Sequence, residues 1–143
     1  MLNRRRSAIT AVVALALIAS ATALAANKAT TPSDTPPYDS RAEYVVKGTV
    51  AGVKIHDSTM GFKDTHIIIT TVMGDMEVHV GPAVYLAKRG LEMKPGDEVV
   101  VTGCKTTYEE KPVLVARQIK RGDLSVTVRN TRGKPVWPKN IRS

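Results

Sequence analysis

One stretch, Met76-Glu-Val-His-Val-Gly-Pro-Ala-Val-Tyr-Leu-Ala-Lys-Arg-Gly90, constrains the fold more than any other part of this 143-residue chain. Apolar Met76, Val78 and Val80 alternate with Glu77 and His79, the period of a half-buried strand, so the polar pair is expected on the outer face. At Gly81-Pro82 the pattern changes to that of a short helix. Proline is tolerated in a first helical turn, where its missing N–H costs nothing, and Gly90 suits the stop, so a helix is expected over about residues 82–89. Val84, Tyr85 or Leu86 would then close one end of a core. After the helix, Leu91-Glu-Met-Lys-Pro-Gly-Asp-Glu-Val-Val-Val-Thr-Gly103 turns at Lys94–Asp97, where proline and glycine take the places of a type II turn, and begins a new strand.

The flanking text supplies the other strands. Tyr44–His56 is a long strand interrupted by Gly48 and Gly52, and a strand shared between two sheets needs such a bend. The loop Asp57–Asp64 leads to the β-branched run Thr65–Val72, which joins Met76–Val80 through Gly74-Asp75 as a hairpin. Glu98–Gly103, the polar loop Lys105–Lys111 and Pro112–Ile119 complete five strands. Five strands with one short helix between the third and fourth is the element order of the OB-fold, a small Greek-key barrel. The expectation is therefore all-β, with the barrel over residues 44–120. A C-terminal hairpin, Leu124–Arg129 returning as Lys134–Trp137, opens a basic segment over residues 121–143, and Trp137 should pack on the barrel wall.

The first residues read differently. Arg4, Arg5 and Arg6, an uncharged apolar run from Ala8 to Ala19, and the small residues Ala23-Leu24-Ala25 stand in signal-peptide order. The apolar run is short of the roughly 20 residues of a spanning helix. Residues 1–25 are thus expected to be a cleaved secretory signal, general secretion being preferred to the twin-arginine route. Residues 26–43, rich in Pro, Thr, Ser and Asp, form a disordered leader. A periplasmic or secreted protein without a transmembrane segment after cleavage follows. The single cysteine, Cys104, ends an apolar strand and is expected to be shielded.

Loss of the signal leaves 18 basic against 13 acidic residues, a net of +5. From Lys120 onward seven basic residues face only Asp123, a net of +6, so nearly all the charge lies in the C-terminal segment. Lys120, Arg121, Arg129, Arg132 and Lys134 form a candidate basic docking face for an envelope protein, an anionic polymer or an anionic surface.

At Val78-His-Val-Gly-Pro82, Lys94–Gly103 and Arg129-Asn-Thr-Arg-Gly-Lys-Pro-Val-Trp137, the chain resembles a group of small exported bacterial OB-fold proteins. The resemblance implies a fold and a compartment and carries no catalytic residue. It extends at the level of fold to a periplasmic copper-binding OB protein and to a haem chaperone. The former uses methionine, histidine and tryptophan on the barrel face.

His56, Met60 and His66 cluster around one loop and form the candidate metal set, with copper as the possible cofactor because Cu(I) favours thioether and imidazole donors. The competing expectation is that the histidines are exposed strand residues, with no cofactor bound. The lack of Cys-x-x-Cys-His excludes covalent c-type haem. Catalysis would need a nucleophile and base in a pocket, which a small barrel seldom offers, so a binding module is expected. Aromatic residues are 4% of the chain, too few for the stacking platforms of single-strand nucleic-acid binding, and export separates the protein from most nucleic acid. The function expected from sequence is an exported, non-catalytic OB module docking through the basic C-terminal face. Copper binding or chaperoning is the alternative, and nucleic-acid binding comes third. The oligomeric state is open.

Overall fold

In the computed structural model, residues 36–142 are described, so the expected signal segment and most of the leader lie outside the described residues. Six strands follow one 3₁₀ turn at Ser40–Ala42: β1 (Glu43–Asp57), β2 (Lys63–Thr71), β3 (Gly74–Pro82), β4 (Glu98–Tyr108), β5 (Lys111–Arg121) and β6 (Leu124–Thr127). The helix α1 (Ala83–Lys88) lies between β3 and β4. Pro82 immediately precedes it, and Gly90, with φ of 74°, follows its end.

The strand order β3-β2-β1-β4-β5-β6 closes on itself because β3 also pairs with β5, in parallel, at Val78–Leu114 and His79–Val115. β1 serves both halves: Glu43–Thr49 pairs with β4 and Thr49–Asp57 with β2. This is the closed five-strand OB barrel expected from the element order, with β6 added along β5. The bend in β1 falls at a bulge between Val50 and Gly52. Gly48 is the glycine under constraint, since a Cβ there would stand 2.9 Å from the Thr70 carbonyl, whereas one on Gly52 would meet nothing. The bend expected where glycines interrupt the strand is thus present at Gly52, although a Cβ there would meet nothing. A bulge kinks the strand by its extra residue and needs no special side chain there.

Alternation fills the barrel. Ile67 and Ile69 of β2, Val78 and Val80 of β3, Val99 and Val101 of β4, and Leu114, Ala116 and Ile119 of β5 are at most 1% exposed. Tyr85 and Leu86 of α1 join this core, and the Tyr85 hydroxyl donates to the Thr127 carbonyl at 3.1 Å. Apolar burial at roughly 25 cal/mol per Å² is what holds so small a barrel together. Cys104 is buried with Val113 and Val115, as its apolar setting predicted, and burial pushes its thiol up.

The chain around the barrel is more ordered than its composition suggests. Tyr38, within the expected leader, packs against the Cys104 cluster, and its hydroxyl donates to Glu43 Oε2 at 2.5 Å. Glu43 also receives both Nε (2.7 Å) and Nη2 (2.8 Å) of Arg117, a forked pair that spans β1 and β5 and holds the Glu43 carboxyl below its usual range. The C-terminal hairpin forms only in part. β6 pairs with β5, but the return is a single bridge, Arg129–Pro135, closed at Asn130, whose side-chain oxygen accepts from the backbone N–H groups of Arg132 and Lys134. Among the described residues no helix is long and apolar enough to cross a membrane.

Candidate functional site

The outer surfaces of β1, β2 and β3 meet the C-terminal segment in a cleft of about 710 Å³. Along its floor, rings from β1, β2, β3 and β4 form a ladder. His56 of β1 lies 4.6 Å from His66 of β2, His66 stacks on His79 of β3 at 3.7 Å with planes 23° apart, and Tyr108 of β4 meets His79 edge-on at 5.2 Å. Strand register brings the two inner histidines together. His66 pairs directly with His79, whereas Thr65 pairs with Gly81, so Val80 is an extra residue, a bulge beside the cluster. Bulges commonly re-aim side chains next to functional sites.

Alternation placed Glu77 and His79 on the outer face, and they are there, but His79 is only 4% exposed. The expectation that both would be exposed strand residues is thus corrected. This part of the outer face is covered by His66, Tyr108 and the C-terminal chain, and Glu77 is half-buried beside them.

Asp64, His66 and Glu77 form one hydrogen-bonded group, with His79 at ion-pair distance from it. Asp64 Oδ2 lies 3.3 Å from His66 Nε2, Glu77 Oε1 lies 3.1 Å from His66 Nδ1, and Glu77 Oε1 lies 3.6 Å from His79 Nε2. Burial opposes the charging of His66, but Asp64 and then Glu77 outweigh it and raise its pKa above the usual value. Burial, with the neighbouring His66, lowers His79 to about 4 against the pull of Glu77 and Asp64, so His79 is neutral at physiological pH. Burial also opposes ionisation of Glu77, yet His66, His79 and Lys54 hold its carboxyl below the usual range. Neutral imidazole and ionised carboxylate are the forms that bind metals.

His66, Glu77 and His79 each offer one ligand atom, and these atoms lie within 4.8 Å of one another. Metal bonds of about 2.0–2.1 Å set neighbouring ligand atoms about 3.0–3.4 Å apart, so the 3.1 and 3.6 Å separations from Glu77 Oε1 need little adjustment to seat an ion. When His66 Nε2 carries the proton and donates it to Asp64, Nδ1 presents its lone pair toward Glu77. This is the carboxylate–histidine arrangement that orients a metal-binding imidazole.

Of the set expected from sequence, His56 and Met60 also line the cleft, beside His66, but both are exposed, Met60 at 58%. Sequence reasoning did not include Glu77 and His79 in the candidate metal set. The cross-strand pairing of His66 with His79 was the available signal, and it appears only once the hairpin register is known.

The C-terminal charges divide in a similar way. Arg129, expected on the exposed docking face, is 3% exposed. Its Nη1 donates to the Val80 carbonyl at 3.0 Å and to the Ala116 carbonyl, and its guanidinium carbon lies 5.3 Å from the centre of the Trp137 ring. Those carbonyls belong to β3 and β5 just past their last ladder pair, so Arg129 bolts the barrel seam. Desolvation lowers its pKa to about 10, which leaves it charged at neutral pH. Arg121 pairs with Asp97 at 3.4 Å, while Lys120, Arg132 and Lys134 are exposed. Trp137 packs against the barrel as expected and also lines the cleft.

Comparison with known proteins extends this description. No protein of curated function matches the chain. Among solved structures, similarity is found to the Schizosaccharomyces pombe Stn1–Ten1 complex, with 18% identity over 57% of this chain and 58% of that one, and a TM-score of 0.46. The match thus spans little over half of that relative's length. The N-terminal domain of PriB from Thermoanaerobacter tencongensis shows 16% identity over 57% of this chain and 96% of that one, with a TM-score of 0.48. A replication protein A heterotrimer bound to single-stranded DNA shows 10% identity over 56% and 57% of the two chains, with a TM-score of 0.44. Residues 43–126, from the start of β1 into β6, match a described family, and the chain belongs to the MamS/MamX magnetosome protein family.

Proposed function

We propose that this chain is an exported, non-catalytic OB module that binds a first-row divalent transition metal in the cleft between β1–β3 and the C-terminal segment. The observation that carries the reading is the convergence of His66, Glu77 and His79 on one point, with Asp64 behind His66. Two imidazoles and one carboxylate are borderline donors suited to Zn(II), Fe(II), Ni(II) or Cu(II), and less to Cu(I), which prefers sulfur. Copper in its reduced form, the ion that Met60 suggested, is therefore not the preferred occupant. Membership of a magnetosome family is compatible with a role in handling metal ions. The test is competition for Zn(II) against a chromophoric chelator, comparing the full chain with His66→Ala, Glu77→Gln and His79→Ala. Each change is expected to weaken binding about 10- to 100-fold. Equal affinity in all four proteins would overturn the reading.

A second reading, docking through basic charge, keeps a narrower footing. With Arg129 inside the protein and Arg121 paired, it rests on exposed Lys120, Arg132 and Lys134. A partner held by so few surface charges would bind weakly and dissociate with salt.

A further inference from the structure

Among the described residues, Arg129 is the side chain of the cleft with a buried polar atom that meets no partner. Its Nη1 is used on the barrel seam, but Nε is buried and meets no acceptor among the described residues. No carboxylate of the described residues lies within ion-pair distance of it. Asp64 favours its charge only from beyond ion-pair distance, so the buried cation is incompletely compensated, and burying a donor without an acceptor adds to the cost. Bolting the seam explains Nη1 and leaves Nε unexplained. The guanidinium lines the same cleft as His66, Glu77 and His79, and its proximity contributes to holding His79 neutral. Lys134, from the turn that delivers Arg129, and Lys54, from β1, line the cleft as well and are exposed. The guanidinium carbon lies over the Trp137 ring, 5.3 Å from its centre, and both side chains line the cleft.

We propose that the cleft holds an oxyanion, a phosphate or carboxylate group, at Arg129 beside the metal centre, so that metal and anion are taken up together. Three protein donors leave coordination positions on a four- or six-coordinate ion, and an oxygen of the anion can fill one while its other oxygens accept from Arg129 and Lys134. The resulting charge balance is sensible: the anion offsets both the ion and the buried arginine. The bridging of metal and anion rests on the metal reading above, whereas the arginine site does not.

The experiment is calorimetric titration of inorganic phosphate, and separately of acetate, into the full chain with and without Zn(II). Phosphate is expected to bind the Zn(II)-loaded chain about tenfold more tightly than the metal-free chain, as expected for an added charge-assisted contact. Arg129→Lys keeps the charge but loses the fork, and should weaken phosphate binding about tenfold while Zn(II) affinity stays within about threefold. Because a seam residue can disturb folding, Lys134→Gln serves as a surface variant that cannot, and it should weaken phosphate binding about two- to fivefold. Binding of phosphate alone assigns phosphate oxygens, and binding of acetate alone assigns a carboxylate. Anion binding that depends on Arg129 without Zn(II) binding would sink the metal reading and the joint uptake with it, and keep the anion site at Arg129. Zn(II) binding with no anion binding, or anion binding indifferent to both substitutions, would overturn it.

Discussion

The histidine cleft and the basic C-terminal run are both built from titratable side chains, yet the barrel treats them in opposite ways. The cleft draws His66, Glu77 and His79 from two neighbouring strands, half-buries or buries them, and moves the pKa of each. The run is contiguous in sequence, and most of its charges, including Lys120, Arg132, Lys134, Lys139 and Arg142, stay in water. Arg129 belongs to the run by sequence and to the cleft by position. Charge density along a chain therefore says little about where charge acts. Burial and convergence decide it, because interactions in water are weak and screened while those inside a protein are neither.

Arg129→Ala against Arg132→Ala is the sharpest way to break that contrast. The first removes buried charge-assisted bonds to the Val80 and Ala116 carbonyls and should cost about 1–3 kcal/mol in denaturant unfolding. The second alters an exposed side chain and should stay within about 0.5 kcal/mol. Comparable losses would erase the distinction between the two regions.

Gly133→Ala asks whether the basic run is folded at all. Gly133 has φ of 76°, and a Cβ there would clash with the Tyr38 ring, so the variant should lose about 1–3 kcal/mol by thermal or urea unfolding. A silent substitution would mean that the run is a loose tail.

Protons should compete with metal in the cleft, in a direction set by His66. Its folded pKa is raised above the ordinary 6.5, so metal affinity should be level above that raised value and fall about tenfold per pH unit below it, steepening only near pH 4, where His79 begins to charge. In the metal-free protein the two histidines act on stability with opposite sign. The contribution of charged His66 is complete below 6.5 and fades as pH rises through its folded value, while that of neutral His79 is present above 6.5 and is lost as pH falls to about 4. Zn(II) titrations between pH 3.5 and 8, with unfolding followed over the same range, would check both. The smallest effect belongs to the surface: Arg132→Gln with Lys134→Gln should shorten retention on an anionic matrix at low salt and change nothing in high salt.

The barrel was legible in sequence because its signals are local. Gly81-Pro82 and Gly90 bracket α1, and Lys94-Pro-Gly-Asp97 turns as expected, with Gly96 at φ of 94° and the Asp97 N–H donating to the Lys94 carbonyl at 3.1 Å. The site was legible only in part. His66 was named, but its partners stand 11 and 13 residues away and meet it through register and a bulge at Val80 that no local pattern announces. Alternation gave His79 the correct face and the wrong exposure, because period two reports direction and not what covers the outer surface. Arg129 was misplaced for the same reason: a basic run looks solvated until one of its members is needed to close the seam between β3 and β5.

The most direct measurement is Co(II) titration of the full chain at pH 7.5, watching the d–d absorption that reports nitrogen and oxygen ligation. One equivalent should bind and give a saturating spectrum, and His79→Ala should abolish that spectrum while leaving the barrel folded by circular dichroism. A spectrum unchanged by His79→Ala, or no bound cobalt in the wild-type chain, would contradict the metal centre on which the account rests.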